Sequence, residues 1–390
     1  SREPETVNQL NNKETYMMPN ILFFGLETGE WYVGSEASEA RFKEQGIVLD
    51  ELFQNARSEE TVEVHNTRYS YRKLFLMMLK MHVDSFLYRY EGATVKKLVI
   101  TIPEYNKDLF RVLSTFYKEL GVEKEQVEIT SHLDSGLYYI FNQDESLRTN
   151  SVGLFDYNTD GLHYYRIDIS HGHELNTISV THEDYSENFN LAAFGGDNIL
   201  MDITFAKIVA NETKKTYISA IYLTGLGFSE KWLNKSRELL TQGRRVFAGQ
   251  NIYTKGACYK AVGGEYGEFY KKYFVETKEN VIFDVGISSE DRFIPIALGG
   301  RQWYNIHGKI SIILDDTESL TLVYRNRKTG EEEREVVKLH GIPKRPNKTS
   351  KFSVEVEFEN PHHGAFIIKD VGFGKLFPTT NKIYRKEFDV

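Results

Sequence analysis

The chain has little cysteine, no long apolar run and no cluster of basic residues. Cys258 is the one cysteine in 390 residues, which excludes an intramolecular disulfide and is typical of proteins in the reducing cytoplasm. No apolar stretch approaches the roughly 18 residues of a membrane-spanning helix, so we expect no membrane partner. The net charge is −8 and the basic residues are scattered, so nucleic acid is not an expected partner either. The first residues, Ser1 to Glu5, include no Met and no signal sequence, which leaves open whether further residues precede them.

The composition is that of a folded protein. Hydrophobic residues make up 41% of the chain and charged residues 27%, which is enough apolar material for a buried core. Aromatic residues reach 13%, which suits strands and packed helix faces, with a binding surface as the alternative use. At roughly 150 residues per domain, this length corresponds to two or three domains.

The N-terminal region begins with a hairpin pattern and two helical patterns. Residues 21–24 and 31–33 are short apolar runs on either side of a turn, which predicts paired strands. Helices are predicted over residues 36–54 and 69–90. The apolar face of the second helix is predicted to include Leu74, Met77, Met78, Met81 and Phe86.

Strand and helix patterns then alternate. Residues 95–102 and 127–129 are rich in β-branched side chains, and helical patterns follow them over 104–120, ending at Gly121, and over 132–142. This order predicts a parallel pair of strands with crossover helices.

The middle of the chain predicts antiparallel strands followed by two helices and another buried strand. The predicted strands cover residues 152–155, 162–169, 174–180 and 217–223, and the predicted helices cover 196–210 and 229–242.

The character of the sequence changes near residue 280, and a linker is predicted at about 275–290. Strand patterns separated by turn residues fill the remainder, over 309–314, 319–325, 333–339, 352–358 and 365–369. Short alternating strands without helices predict an antiparallel β-sandwich over residues 285–390.

Six segments between residues 95 and 261 carry motifs in a fixed order. The first three are similar to the sequences VITVPAYF, NEPTAAALAYG and DLGGGT, and they occupy Val99 to Tyr105, Ser131 to Phe141 and Gly153 to Asp156. The second three are similar to LGGEDFD, to the adenosine loop VGGSTR and to the closing helix NPDEAVAIGAA, and they occupy Phe194 to Asp197, Ile221 to Phe228 and Asn251 to Ala261.

These motifs are those of the DnaK-type heat-shock chaperones, within the actin-like ATPase superfamily, which the chain therefore resembles. The segment Gly372 to Pro378 also resembles endings found in a narrower family of bacterial actin-like proteins. The resemblance implies an α/β fold with a duplicated ribonuclease-H-like core that lacks one upper subdomain. The two lobes would span residues 1–150 and 151–280, with the β-sandwich after them.

Members of the superfamily bind ATP or ADP with Mg²⁺ between two lobes. The resemblance implies Asp156 as the candidate catalytic carboxylate, which would orient the Mg²⁺-bound water. It also implies glycines that let the backbone approach the nucleotide. The candidate cofactor-binding residues are Asp156, Gly161, Gly195, Gly196, Gly225 and Gly227. The alternatives are a turn carboxylate bonded to backbone for Asp156, and a strand-to-helix turn with positive φ for Gly225 to Gly227.

Three departures indicate that this nucleotide site is degenerate. Glycines of the second phosphate hairpin are replaced by residues 157–160, and an Asp160 carboxylate about 4 Å from a phosphate would repel it by about 4 kcal/mol. His163 stands where the family has a second aspartate. Residues 1–18 contain no glycine, so the first phosphate hairpin is missing or lies upstream of Ser1. Only residues 207–216 stand where the chaperones carry a whole subdomain.

The first hypothesis is therefore a cytoplasmic pseudo-ATPase scaffold with weak or no nucleotide hydrolysis, which acts through its surfaces on a protein or peptide partner. The runner-up is a chaperone-like ATPase whose first phosphate hairpin precedes Ser1. A third hypothesis, compatible with both, is peptide binding by strand addition at an edge of the C-terminal sandwich.

Two remaining groups of residues have simpler interpretations. His171 and His173, with His163 and His182 nearby, match a zinc pattern, but Gly172 favours an exposed turn and no metal site is predicted. Cys258 has no catalytic partners in sequence and is predicted to be a buried helix residue.

Overall fold

A computed structural model of the chain describes residues 3–5, 18–90, 92–172, 175–190, 193–194, 196–228, 231–263, 269, 272–289, 292–314 and 319–390. The chain divides into two compact units, one of residues 1–164 and 183–267 and the other of residues 165–182 and 268–390. Within the described residues, no helix combines the length and apolarity needed to cross a bilayer.

The first unit begins with a small antiparallel sheet and a long helix. Its elements are β1 (Leu22–Gly25), β2 (Trp31–Val33), α1 (Gly34–Ala40), β3 (Gly46–Leu49), α2 (Leu52–Asn55), β4 (Thr61–Val64), β5 (Thr67–Ser70) and α3 (Tyr71–Arg89). Strand β1 pairs antiparallel with both β2 and β3, which confirms the predicted hairpin, and β4 pairs with β5. Ser70 caps α3 by accepting a hydrogen bond from the Lys73 N–H at 3.2 Å.

The single helix predicted over residues 36–54 is wrong. Helix α1 ends at Ala40, and residues 46–49 form β3 along the free edge of β1. Gly46 lies against the ring of Phe23 and the backbone of Phe24, where no side chain fits. The pairing of Ile47 and Val48 with a distant strand therefore outweighs the local helical spacing.

Two parallel strands and their helices follow, as predicted, except that the single helix predicted over residues 104–120 is two short helices. They are β6 (Leu98–Ile102), α4 (Lys107–Leu113), α5 (Phe116–Leu120), β7 (Val127–Ser131) and α6 (His132–Phe141). Gly121 ends α5 with a φ of +67°, which favours glycine. Helix α3 buries Leu74, Phe75, Leu76 and Met78 in the core of this part, whereas Phe86 is exposed, so its prediction as part of the apolar face is wrong.

The remainder of the first unit is built on a sheet in which three strands are parallel. Its elements are β8 (Ser151–Asn158), the start of β9 (Gly161–Ser170), the end of β10 (Asn176–Asp184), α7 (Asn198–Lys215), β11 (Ile218–Thr224), α8 (Lys235–Thr241), β12 (Arg245–Ala248) and α9 (Ile252–Gly263). Strands are neighbours in the order β12-β11-β8-β9, and β11 runs parallel to both β8 and β12. An aromatic cluster around Phe155, Tyr157, Phe189, Phe205 and Trp232 is buried here.

The helix predicted from residue 229 begins instead at Lys235. The buried Asp202 carboxylate on α7 accepts hydrogen bonds from the N–H groups of Asn234, Lys235 and Ser236, at 3.2, 2.7 and 3.0 Å. This cap comes from another helix, so no local pattern could predict it. Residues 226–228 form a single 3₁₀ turn.

The second unit consists mainly of antiparallel strands. Besides the rest of β9 and β10, it contains β13 (Tyr273–Glu276), β14 (Phe283–Ser289), β15 (Arg292–Ala297), β16 (Gly308–Leu314), β17 (Ser319–Asn326), β18 (Glu332–Lys338), β19 (Ser350–Phe358), β20 (His363–Asp370) and β21 (Ile383–Asp389). Two four-stranded sheets have the orders β15-β14-β17-β18 and β16-β19-β20-β21. One hydrophobic cluster takes side chains from both sheets, as the two sheets of a sandwich do.

The mixed α/β class and the β-rich C-terminal region are confirmed, and the duplicated actin-like core stays a prediction, as does the division of residues 1–280 into two lobes. The linker predicted at 275–290 is wrong, because β14 lies between β15 and β17 at the centre of a sheet. The prediction for Cys258 is also wrong. Helix α9 buries its face at Ile252, Gly256 and Lys260, and Cys258 is exposed on another face.

Candidate functional site

The candidate site lies where two parallel strands of the first unit end. Asp156 near the end of β8 is in register with Thr224, the last residue of β11. Both side chains are buried. Ligands of open α/β sheets bind outside the carboxyl ends of the strands, so this is the position where chemistry is expected.

The Asp156 carboxylate is engaged by two neutral donors of the protein. The Tyr253 hydroxyl on α9 donates to Oδ2 at 2.6 Å, and the Asn158 side-chain amide donates to Oδ1 at 2.5 Å. The side-chain oxygen Oδ1 of Asn158 in turn accepts from the Leu226 N–H at 3.0 Å. The carboxylate is thus held inside a network that joins β8, α9 and the turn after β11.

The environment of Asp156 favours its neutral form. Burial raises the pKa of this carboxyl to about 6, although the hydrogen bond from Tyr253 lowers it. The nearby Asp160 raises the pKa as well, and His163 lowers it. No cation bonds directly to the carboxylate among the described contacts, so burial prevails.

Gly225 and Gly227 lie against Tyr157, the residue after Asp156. Gly225 has a φ of +98°, and a Cβ added there would collide with the Tyr157 carbonyl oxygen and lie 2.8 Å from Asp156 Oδ1. A Cβ on Gly227 would collide with the Tyr157 ring. Both glycines are therefore required by the packing of the protein itself, which agrees with the simpler interpretation of this turn.

The hairpin after β8 is filled by side chains. Tyr157 is fully buried and its ring contacts those of Phe189 and Trp232, with centroids 5.0 and 6.2 Å apart. Gly161, with a φ of +123°, packs against Ser186. The His163 ring lies between the carboxylates of Asp160 and Asp184, at 3.6 and 3.5 Å.

The glycine pair before α7 is only partly described. Gly195 lies outside the described residues. Gly196 has a φ of +87° and open space where a side chain would stand. The Asp197 carboxylate accepts from the N–H groups of Ile199 and Leu200, both at 3.0 Å. The start of α7, where a phosphate would be expected to bind, is capped by the protein's own carboxylate.

The structure thus brings together Asp156, Gly225 and Gly227, whereas no described contact joins Gly161 or Gly196 to them. The sequence analysis missed three members of the site, which are Asn158, Tyr253 and His132. The His132 ring stacks on that of Tyr253 with centroids 4.2 Å apart, and burial lowers the pKa of His132 to about 4, so it is neutral near pH 7. The sequence indicated only Asn158, as a polar residue two positions after Asp156.

A buried ion network fixes α9 and with it Tyr253. The Lys260 ammonium contacts the Asp134 carboxylate at 2.8 Å, the Glu128 carboxylate at 3.0 Å and the Thr130 hydroxyl at 3.0 Å. Gly256 lets α9 approach the Ser135 backbone of α6 more closely than any side chain would. The Tyr253 hydroxyl is therefore held by rigid helix packing and not by a loop.

The predicted histidine pattern is dispersed. His171 is exposed and 3.1 Å from Asn176 Oδ1, the His182 ring stacks on Tyr165, and His173 lies outside the described residues. Across the described parts of the chain, no group of three or more His, Cys, Asp or Glu side chains is arranged to hold a metal ion.

The fold and site define a mixed α/β protein with a buried strand-end carboxylate and a β-rich C-terminal region. Residues 3–278 match the C-terminal model of a family of unknown function, DUF5716. This match covers more than half of the chain, so the chain belongs to the DUF5716 family. Residues 276–390 match a domain of unknown function, DUF8552. No curated protein matches the chain.

Proposed function

We propose that the chain is an actin-like scaffold or interaction protein whose nucleotide site has lost turnover. In this proposal the strand-end position that holds phosphate and Mg²⁺ in the actin-like superfamily is retained, but protein side chains occupy it. The protein then acts through contacts with a protein or peptide partner. Its cytoplasmic location stays a prediction.

One observation carries the proposal: the Asp156 carboxylate bonds to Tyr253 and Asn158 inside the protein. A carboxylate that orients Mg²⁺ and its waters must present its oxygens to solvent. Asp156 is buried, and one donor, Tyr253, comes from the packed helix α9 while the other, Asn158, is two residues along β8 itself. Binding Mg²⁺ there would require both donors to be displaced.

The glycines support the same conclusion. Phosphate-binding glycines leave space into which phosphate oxygens fit. Gly225 and Gly227 instead leave space that the backbone and ring of Tyr157 already fill. At the start of α7, the Asp197 carboxylate takes the N–H groups that a phosphate would use.

The runner-up, an ATP-binding chaperone-like ATPase, rests on the same strand ends. It is favoured by the position of a carboxylate at the end of β8 beside a positive-φ glycine after β11. It requires a rearrangement that releases Asp156 from Tyr253, together with a first phosphate hairpin from residues outside the given sequence.

Nucleotide titration separates these two proposals. We expect the melting temperature of the 390-residue chain to be the same with Mg·ATP, with Mg·ADP and with Mg²⁺ alone, since a ligand that does not bind cannot stabilise. The same titration on the full-length gene product tests whether additional residues complete the site. A saturable rise with Mg·ATP in either protein, with phosphate release, would replace the scaffold proposal by the runner-up.

Strand addition at the C-terminal sheets remains the proposed mode of partner binding. The outer strands are β15 and β18 in one sheet and β16 and β21 in the other. The β18 sequence Glu332–Lys338 has five charged residues out of seven, which discourages non-specific pairing, whereas β16 contains Ile310, Ile312 and Ile313. We therefore expect peptide binding by the whole chain to be weakened by Ile312→Pro in β16 and not by Val336→Pro in β18.

A further inference from the structure

Residues 371–378, which we call the apolar loop, form a tight turn after β20 with apolar side chains in solvent. The Phe373 N–H donates to the Phe377 carbonyl at 2.7 Å and closes the turn. Gly372 and Gly374 both have a φ of +67°, which suits glycine. Leu376 is 85% exposed, Val371 44% and Phe373 41%. The loop therefore leaves three large apolar side chains exposed within one tight turn.

A buried ion pair holds the apolar loop in this conformation. The Arg345 guanidinium donates to both oxygens of Asp370 at 2.9 and 2.8 Å, and also to the Pro378 carbonyl at 2.9 Å. Asp370 further accepts from the N–H groups of Gly372 and Thr380, at 3.0 and 2.8 Å. Both ends of the loop are thus tied to one buried carboxylate. The exposed tip is a fixed feature of the fold, so binding through it costs little ordering entropy.

Lysines lie on the chain segment that contains the apolar loop and on a segment beside it. Residues 339–351 and 371–382 contain no Asp or Glu, and they carry Lys344, Lys348, Lys351, Lys375 and Lys382. The two segments adjoin, because the Tyr384 hydroxyl and Lys382 Nζ both donate to the His340 carbonyl, at 2.7 and 3.4 Å. Asp370 is already paired with Arg345. Asp315, Asp316 and Glu318, which follow β16 in the sequence, lie outside the described residues.

We propose that the apolar loop and the adjoining lysines bind an anionic lipid surface. This replaces the expectation of no membrane partner, because the lack of a long apolar run argues only against a membrane-spanning helix. Leu376 and Phe373 would enter the boundary between headgroups and acyl chains, and the lysine ammonium groups would contact lipid phosphates. Exposed apolar side chains on a turn can insert into a deformable bilayer, whereas a protein partner would have to supply a matching pocket. The chain as a whole has a charge of −8, so we expect attraction to an anionic surface to depend on these lysines. This inference is independent of the proposed loss of nucleotide turnover.

Vesicle sedimentation with the whole chain tests the proposal. We expect binding to phosphatidylcholine vesicles that contain about 30% phosphatidylserine, and at least tenfold weaker binding to phosphatidylcholine alone, because several lysines contribute. The double variant Phe373→Ser/Leu376→Ser should lose at least tenfold in the partition coefficient. The matched control Phe42→Ser replaces an apolar side chain that is 80% exposed in the first unit, and it should bind like the wild type.

The contribution of the lysine charges to vesicle binding is tested separately. Lys344→Gln/Lys375→Gln should weaken binding roughly tenfold, and Lys43→Gln/Lys235→Gln, which removes the same charge from the first unit, should not. Equal binding to neutral and anionic vesicles, or unchanged binding by the Phe373→Ser/Leu376→Ser variant, would overturn the proposal. So would self-association of the wild type that this variant abolishes without any lipid binding, since the occupant would then be a second copy. Melting temperatures confirm that each variant is folded.

Discussion

Asp156 in the first unit and Asp370 in the second are both buried carboxylates near the end of a strand, and their electrostatics are opposite. Asp156 has two neutral donors, and burial raises its pKa to about 6. Burial acts in the same direction on Asp370, but the hydrogen bonds from Arg345, Thr380 and Gly372 outweigh it and hold the pKa well below its usual range. A buried cation in direct contact therefore decides whether a buried carboxylate stays ionised.

The difference separates a charge on which the fold depends from a carboxyl whose protonation can change. Asp370 is an anion that fixes the apolar loop. Asp156 has a pKa of about 6, and under the proposed function it stands where an actin-like protein holds phosphate and Mg²⁺. A perturbed pKa marks candidate functional sites, but a buried group bonded only to protein atoms can also be explained by packing.

The largest loss of stability is expected on breaking the Arg345–Asp370 ion pair of the second unit. Arg345→Ala would leave the Asp370 carboxylate buried without its cation, and we expect a loss of about 3–5 kcal/mol in the free energy of unfolding. The control Arg385→Ala removes an exposed arginine that pairs with Glu359, and should cost less than about 1 kcal/mol. Urea unfolding measures both. Equal small losses would mean that Asp370 is not held as a charged group.

The next effect concerns the close packing of Gly225 in the first unit. Gly225→Ala adds a methyl group that collides with Tyr157 at a positive φ, and we expect a loss of about 2–4 kcal/mol in stability. Gly243→Ala is the matched control, because Gly243 has a φ of +72° but open space around it, and should cost about 1 kcal/mol. If the two variants were equally stable, the site would have room that a ligand could fill.

The pH dependence should run in opposite directions for the two aspartates. The folded-state pKa of Asp156 lies above the unfolded value, so its protonated form is stabilised and stability falls as pH rises from about 4 to about 6, by about 3 kcal/mol in total. Asp156→Asn should remove this decline. The Asp370 pKa is depressed, so its contribution is present above the unfolded pKa of about 4 and is lost as pH falls below it. Unfolding free energies between about pH 3 and 8 test both signs.

The smallest loss of stability is expected for Tyr253→Phe. Tyr253→Phe removes the hydroxyl that donates to Asp156 Oδ2, and should cost about 1 kcal/mol. Since that hydrogen bond lowers the pKa of Asp156, its loss should raise the pKa and shift the decline in stability to higher pH. Tyr88→Phe alters an exposed tyrosine and should leave the profile unchanged. An unaltered pH midpoint in Tyr253→Phe would show that the two groups do not interact.

The helices and strands that could be predicted are those whose sequence pattern is local. The parallel strands at 98–102 and 127–131, the helix that ends at Gly121 and the five predicted strands after residue 308 all follow from periodicity and turn residues, because these act within a few positions of the chain. The position of Asp156 at the end of a buried strand was predictable for the same reason.

The other element boundaries and the contacts of the two aspartates depend on packing between distant segments. Residues 46–49 form a strand because they pair with the edge of β1. Helix α8 begins at Lys235 because Asp202, on another helix, caps it. Tyr253 lies 97 residues along the chain from Asp156, to which it donates a hydrogen bond. Arg345 lies 25 residues from Asp370. Burial and partners of this kind set the charge of a carboxylate, and neither is encoded in the residues next to it, since both arise from packing between distant segments.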